Sequence, residues 1–583
     1  MGVRHLDTFV RERVPGGCHP INIENEVRKY IQTASTANPP VPIIVVDLIS
    51  LYSSMSQHDP KGVYFGGRFN LAYVAIDEFF GKLKGLGAQL VFFYDGPVQD
   101  EKSENWCKRQ DERYTRRLDM LDAIESGTSV DVLMKKYEIP HNTLYPLKYI
   151  ARQYGEFRLA ISRECDQELA AFATRANALA IIADDSDFLI YEGSWKYWSC
   201  RELELSTLST MELSRVALAK FLCLSSEQMP LFATLGGNDV MPYEVVRALH
   251  NLLGHSRDKF PNIARYIREL PKKPLAEKDI INILRRTTDG EPVTKDLVQR
   301  FQQSLDVYSV NIHPQNVNPT NDPTIKVLLE QDTPFLYQIW QGTPLDVSIG
   351  TVDMRRNDIG HHYSTLQVSL IQRMAAIILF HRKPQRPNHC PVIIKMSHQS
   401  PHREHSVPVQ YPRCMDVPSL PVLMSKEPFM RKTLRKVKFQ LLAWIASDTL
   451  EPEQLRQVPR KLRMTVLTVY FLLEQRAIEL FEADAFLQVA HDVTYNTYDI
   501  RAVVYPETVS IRPFVLVFLF QKIYALVAKA VCLVSLEEAN SFRNDPPFDG
   551  VLFHRLYDKW SKGQRILDDI KEWRIYDSLA NDQ

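Results

Sequence analysis

Over the first 250 residues, short unbroken apolar runs alternate with longer stretches whose apolar residues recur at helical spacing. Pro42-Ile-Ile-Val-Val-Asp47, Gln89-Leu-Val-Phe-Phe-Tyr-Asp95 and Ala178-Leu-Ala-Ile-Ile-Ala183 are such runs, each ending in or followed by an acid. That is the pattern of central strands in a parallel sheet covered on both faces. Leu71 to Leu86 and the segment opening at Glu164 carry helical spacing, and Glu212 to Leu222 also reads as a helix. Strand, helix, strand in repetition predicts an α/β fold, a parallel sheet flanked by helices.

Further on the pattern changes. Lys426 to Ala446, Lys461 to Leu480 and Phe514 to Val534 have helical periodicity, with Pro391 to Lys395 as an isolated strand, so the C-terminal part is expected to be mostly helical. Phe514 to Val534 is apolar enough to resemble a membrane span. Gln521, Lys522 and Lys529 interrupt it, and a central charge in lipid costs about 2.5–3.5 kcal/mol. A buried core helix is therefore expected, and no membrane partner. Ser256 to Asp353 is polar and proline-rich, with Asn316 to Thr324 loosest. The expected organisation is an α/β domain over 1–255, a linker and extension over 256–353, and a helical domain over 354–583.

Composition changes this picture little. Of 583 residues, 45% are hydrophobic and 24% charged, a globular balance. Lys+Arg and Asp+Glu both number 70, so no global field draws the chain onto nucleic acid and any such binding needs local basic patches. The densely charged stretch Asp100 to Tyr137 holds Lys102, Lys108, Arg109, Arg113, Arg116 and Arg117, and predicts one or two exposed helices projecting from the sheet. The eight cysteines are scattered without a CxxC pair, which suggests reduced thiols and a nuclear or cytoplasmic setting. His381, His389, His398, His402 and His405 match no standard zinc spacing and read as a surface loop.

The chemistry lies in the acids. Asp47, Asp95, Asp185 and Asp187 follow strand ends, Glu164 and Asp166 open a helix, and Asp239 follows two glycines that permit a tight turn. In open parallel sheets, ligands sit beyond the carboxyl ends of the strands. Carboxylates meeting there repel by about 4 kcal/mol per pair at 4 Å for an effective dielectric near 20. They either take up protons or hold a hard divalent cation, Mg²⁺ or Mn²⁺.

These motifs resemble a known superfamily. Met-Gly-Val-Arg at the start, Val-Val-Asp47, Phe-Phe-Tyr-Asp95-Gly, Glu164-Cys-Asp166, Asp185-Ser-Asp187 and Gly-Asn-Asp239 are similar to the flap endonuclease/XPG nucleases, which have a PIN-like α/β fold. The resemblance implies two magnesium ions, the first on Asp95, Glu164, Asp166 and Asp185 with Asp47 assisting, the second on Asp187 and Asp239. It also implies that Lys102 and Arg109 steer the scissile phosphate. Two departures stand out. Asp239 is followed by Val-Met-Pro-Tyr-Glu where the flap nucleases have a duplex-gripping Gly-Ile-Gly turn, and His5 stands where they usually have Gly.

A closer resemblance extends over most of the chain. Trp106-Cys-Lys-Arg109, Leu235-Gly-Gly-Asn-Asp239, Pro391-Val-Ile-Ile-Lys395, Ala446-Ser-Asp-Thr-Leu before Val458-Pro459, Leu462–Leu473 and Phe548-Asp-Gly-Val-Leu-Phe553 resemble the constitutive coactivators of PPAR-gamma. That family implies a PIN/XPG-like domain joined to a helical region and a role as coactivator, RNA-binding protein or scaffold. Three functions are thus in view. They are an interaction protein binding RNA or single-stranded nucleic acid and docking proteins through its helical domain, a Mg²⁺/Mn²⁺-dependent endonuclease, and a remnant acidic site that binds metal for stability only. The first takes precedence because the resemblance behind it spans both halves.

Overall fold

The computed structural model describes every residue except 1, 34–40, 99, 139–146, 162, 255, 272–274, 289–291, 311–321, 330–333, 348–350, 357–362, 414, 537–546 and 581–583. By internal contact the chain divides into two compact units. One comprises 1–54, 75–105 and 150–318, the other 55–74, 106–149 and 319–583.

The first unit is built on a seven-stranded sheet. Its strands are β1 (Cys18–Asn22), β2 (Ile43–Asp47), β3 (Gln89–Tyr94), β4 (Glu156–Leu159), β5 (Ala180–Ala183), β6 (Lys196–Ser199) and β7 (Ser209–Leu213), in the order β1-β7-β6-β5-β2-β3-β4. The five strands from β6 to β4 run parallel, and β7 and β1 extend that sheet as an antiparallel edge. Val45 pairs with Val91 on one side and Ile181 on the other. Ile44 to Val46, Val91, Phe92 and Ala180 to Ala183 are buried, as strands covered on both faces must be. The helix Cys165–Arg175 packs on β2, β3 and β5.

Two elements differ from the reading of the sequence. Glu212 lies on β7, and the helix that follows begins only at Arg215, capped by Ser214, whose Oγ accepts from Ala217 N. The antiparallel neighbours β1 and β6 fix that segment as strand, a pairing that local periodicity does not contain. The polar stretch after residue 255 folds into the helices Lys259–Glu269, Glu277–Arg285 and Lys295–Asp306. Each buries one apolar face, as with Phe260, Ile263 and Ile267, in the core of this unit. Their solvent faces carry the polar residues that dominate the composition. Most of the loosest part of the stretch, 316–321, lies outside the described residues.

The second unit is mostly helical. Its core gathers the helices Tyr363–Leu379, Arg435–Ala446, Arg463–Glu474, Leu480–Tyr495, Ile511–Leu533 and Gly550–Ser561. A small sheet of β8 (Leu345–Asp346), β9 (His389–Ile394) and β10 (Arg403–Pro408) joins them in the order β10-β9-β8. The histidine-rich stretch is therefore a hairpin rather than a loop. Its histidines serve separate partners: His402 Nδ1 lies 2.7 Å from Asp111 Oδ1, His398 Nδ1 3.4 Å from the Tyr114 hydroxyl, and His381 Nε2 2.6 Å from the Val417 carbonyl.

Ile511–Leu533 is long and apolar enough to cross a membrane, yet it lies in the core, with Phe520 stacked on Phe486 at 4.3 Å. Gln521 donates to the Gly66 carbonyl, and the Lys529 ammonium sits 4.1 Å from the Phe335 ring centroid. Two of the three polar residues that argue against lipid, Gln521 and Lys529, thus have protein partners. The charged stretch forms one long helix, Asp100–Glu125, followed by Val130–Lys136. It does not simply project. Tyr114, Leu118, Leu121, Ile124, Val130 and Leu133 are buried in the core of the second unit.

Candidate metal centre

Asp47 is the last residue of β2 and is buried. Its Oδ1 accepts from Ile49 N at 3.1 Å, and its Oδ2 accepts from the Ser50 hydroxyl. Ser50 Oγ in turn accepts from Asp184 N at 3.0 Å, which ties the tip of β2 to the segment leaving β5. Asp95 follows β3. The next residue, Gly96, is forced by a close backbone approach: a Cβ there would stand 1.6 Å from the Ala160 carbonyl oxygen.

Glu164 is the N-cap of the helix Cys165–Arg175, and Asp166 lies in its first turn. Both benefit from the positive end of the helix dipole. The Cys165 thiol reaches the Asp95 carboxylate. After β5, Asp185 Oδ1 accepts from Asp187 N at 3.0 Å and caps a single helical turn, and Asp187 Oδ1 accepts from the Tyr308 hydroxyl at 2.8 Å.

Asp239 is placed by the turn before it. Gly237 adopts φ +89°, and Asn238 is buried with its Oδ1 accepting from Val240 N and Met241 N and its amide donating to Ser304 Oγ at 2.8 Å. Asn105 donates to the Asp239 carbonyl at 3.0 Å.

Electrostatics reports how closely these acids meet. Burial and then the charge of Asp95 push Asp47 up to about 6. Burial, Asp47, Asp187 and Glu164 push Asp166 up to about 7. Asp95 is also pushed up to about 6, by burial and then by Asp166 and Glu164; its surface stays open to solvent, so the neighbouring charges are the firmer cause. The Tyr308 hydroxyl, between Asp187 and Asp239, is held well above its usual value by burial and by both acids. Asp47, Asp95, Glu164, Asp166 and Asp187 therefore lie within electrostatic reach of one another at the carboxyl end of the sheet, with Asp185 joined through its hydrogen bond to Asp187 N and Asp239 through Tyr308. The nearby cation Arg201 pairs at 3.2 Å with Asp184, which is not one of the seven.

The donor set is all oxygen and strongly negative, which fits a hard cation such as Mg²⁺ or Mn²⁺. The carboxylates do not form a closed shell. Among the described residues, three ligand atoms within 4.8 Å of one another occur at His491, Asp492 and Asp569 in the second unit. There Gln488 donates to both aspartates, so that group is already hydrogen-bonded within the protein. At the sheet end, ions would keep part of their water, as Mg²⁺ prefers.

The basic residues expected at the site divide differently. The side chain of Lys102 lies outside the described residues. Lys108, Arg109, Arg113, Arg116 and Arg117 belong to the second unit. There Arg113 is held below its usual value by burial and by Arg109 and Arg116, and Arg116 pairs with Glu138 at 3.5 Å. Three contributors had no signal in the sequence. Ser50 and Ser304 are ordinary serines there, and Tyr308 lies in the stretch whose composition suggested a linker.

A parallel sheet with acids converging beyond its carboxyl ends defines an α/β protein with a crevice suited to hard cations. The model of a FAM120A-like domain matches residues 222–312, which takes in much of the helical segment that closes the first unit. Over 242 residues the chain is 30% identical to the constitutive coactivator of peroxisome proliferator-activated receptor gamma of Bos taurus, covering 42% of this chain and 34% of that protein. The Homo sapiens protein of that name is 28% identical over the same length, with 26% of it covered. Human constitutive coactivator of PPAR-gamma-like protein 1 is 23% identical over 348 residues, covering 55% of this chain and 30% of that one. By these matches the chain is similar in sequence to the constitutive coactivators of PPAR-gamma, and it spans about a third of their length.

Among solved structures, the catalytic core of Rad2 in complex with DNA substrate matches with a TM-score of 0.30 and 16% identity, covering 54% of this chain and 86% of that one. The junction-resolving enzyme GEN-1 binding with cesium matches with a TM-score of 0.27 and 15% identity, covering 52% and 68%. The fold is defined by the strand order β1-β7-β6-β5-β2-β3-β4.

Proposed function

We infer that the chain is a nucleic-acid-binding and protein-scaffolding relative of the coactivators, with RNA or single-stranded nucleic acid as its ligand and the helical unit as its protein-docking part. Its setting on this reading is the nucleus, the cytoplasm or both. The observation that carries the choice over catalysis is how the acids are engaged and spaced. Both oxygens of Asp47 accept from Ile49 and Ser50, Asp185 caps Asp187, and Asp187 accepts from Tyr308. Hydrogen bonds of this kind also orient metal ligands, so the spacing weighs more: among the described residues no three of these carboxylates bring ligand atoms within 4.8 Å of one another, looser than a pair of ions about 3.5–4 Å apart requires. The absence from the sequence of the duplex-gripping turn after Asp239 points the same way.

The second reading is a Mg²⁺/Mn²⁺-dependent endonuclease. It is supported by seven acids at one sheet end, three of them pushed up toward neutrality. On this reading Asp95, Glu164, Asp166 and Asp185 hold the first ion with Asp47 assisting, Asp187 and Asp239 hold the second, and Lys102 and Arg109 engage the phosphate. One experiment separates the two. Purified protein is incubated with Mn²⁺ and end-labelled single-stranded RNA or DNA, alongside Asp185→Asn. Retention of the intact strand by both proteins supports the binding reading. Cleavage by the unaltered protein that is lost in Asp185→Asn overturns it in favour of the nuclease.

A further inference from the structure

The chain is neutral overall, but charge is not evenly spread. Residues 426–463 carry ten lysines and arginines against four acids. The structure brings four of the cations, Arg435, Arg456, Arg460 and Arg463, within electrostatic reach of one another in the second unit. The helix Pro428–Thr433 runs through Leu434 into Arg435–Ala446, which packs on Pro452–Gln457, and Arg460 precedes the helix Arg463–Glu474. The guanidinium carbons of Arg456 and Arg463 stand 6.0 and 5.5 Å from the centroid of one ring, Phe439, and Arg456 also pairs with Glu453 at 2.9 Å, an exposed pair that a phosphate would have to displace.

Like charges are thus held side by side. Arg463 is pushed down to about 10, first by burial and then by the charges of Arg460, Arg435 and Arg456. The helix Arg463–Glu474 starts here with a basic residue in place of an acid in its first turn. Basic residues at that position oppose the helix dipole and cost stability. Exposed cations held together against their own repulsion, as Arg435, Arg456 and Arg460 are, suit an external anion.

A second feature narrows the anion. Phe429 is 76% exposed and is the most exposed large hydrophobic among the described residues. It lies one helical turn before the exposed Lys432 and two turns before the exposed Lys436. An exposed aromatic beside a basic track is the arrangement that binds single-stranded nucleic acid, the ring stacking on a base while the cations follow the phosphates.

We propose that this surface, with Arg435, Arg456 and Arg460 on the phosphates and Phe429 on a base, is a binding site for single-stranded nucleic acid. This rests on the nucleic-acid-binding reading above and locates that activity in the helical unit, independently of the acidic crevice. Arg463, buried and donating to the carbonyls of Val458 and Arg456, positions the cluster.

The test measures fluorescence anisotropy of labelled oligouridylate with the full chain over a range of salt. Arg435→Gln/Arg456→Gln/Arg460→Gln is expected to weaken binding at least tenfold and to reduce the slope of log K against log salt by about 2, at roughly 0.7 per phosphate contact. Phe429→Ala is expected to weaken it about tenfold with little change in slope. Lysine at the three arginine positions should restore most of the affinity. The glutamine variant relieves repulsion but gives up the exposed Arg456–Glu453 pair, two small and opposed terms, so it should melt close to the unaltered chain and unfolding does not mimic the effect. Unchanged affinity and slope in the glutamine variant, with binding by the unaltered chain, overturns this site and leaves nucleic-acid binding standing. No binding by the unaltered chain overturns both, as does binding only to vesicles containing phosphoinositides.

Discussion

Arg68 and Asp549 are nearly 500 positions apart in sequence, and both are buried with Nε and Oδ2 2.9 Å apart. Tyr498 donates to the same Asp549 oxygen at 3.0 Å, and Arg68 also donates to the Ile500 carbonyl. A buried pair is costly to break from one side, because the remaining charge stays in a medium that cannot solvate it. Asp549→Asn should therefore destabilise the second unit by about 3–5 kcal/mol, read as a shift in its denaturant midpoint. Gly96 is the matching case at the acidic crevice. Gly96→Ala places a methyl on the Ala160 carbonyl, so it should cost about 1–3 kcal/mol and displace Asp95. A Mg²⁺ titration that needs more ion for the same thermal shift would report that displacement.

His554 gives the residue scale a pH signature. Its ring is buried edge-on to Phe65 at 5.0 Å, and burial pushes it down to about 3. In the unfolded chain it titrates near 6.5, so between those values the unfolded state holds the extra proton. Its contribution to stability is fully present above about pH 6.5 and is lost as the pH falls toward 3, at about 1.4 kcal/mol per pH unit. His554→Phe should remove that slope in denaturant titrations of the second unit between pH 6 and 5.

At the scale of elements, the helix Ile511–Leu533 shows how far composition can mislead and geometry decide. By hydropathy it belongs in lipid, but Phe514, Phe518 and Phe520 are buried against protein. Phe520 contacts Phe486, Tyr524 and Phe548. Phe520→Ala should cost about 3–5 kcal/mol, since three rigid aromatic neighbours do not collapse to close the gap. The measurement is again the denaturant midpoint. A mutant as stable as the parent would place this helix outside the core. The long helix Asp100–Glu125 teaches the converse. Its charge density suggests a solvated rod, yet Tyr114, Leu118, Leu121 and Ile124 recur at helical spacing and are buried. The charges mask the stripe only when composition is read before periodicity.

At the scale of the whole molecule, the acidic crevice sets a coupled dependence on pH and metal. Asp47, Asp95 and Asp166 titrate higher in the folded protein than near 4, where they titrate unfolded. The folded state therefore binds more protons between about pH 4 and 7. The stability these groups lend is full below about pH 4 and is lost as the pH rises through 6 to 7. On the metal-binding reading, a divalent cation would replace the protons. Mg²⁺ should thus raise the thermal midpoint more at pH 8 than at pH 5.5, which differential scanning fluorimetry checks directly. An equal shift at both pH values would mean that the ion is not bound by these carboxylates.

The central strands were legible because each is a short apolar run buried on both faces, and the acids at their ends because a chain leaving such a strand exposes its next residue at the sheet edge. Asp47, Asp95 and Asp185 were found that way. Nothing local marks β1 and β7 as an antiparallel pair, or Tyr308 as the partner of Asp187, since those depend on which distant segment comes to lie alongside. Likewise the arginines at 435, 456, 460 and 463 are scattered cations until three helices bring them together. The sequence by itself determined the periodicity of the elements and the chemical type of the candidate site, because side-chain spacing and ionisation are properties of neighbouring residues. The tertiary structure alone decided the partners of each charge and the assignment of each segment to a unit, because burial and electrostatic repulsion depend on distances that chain order does not fix.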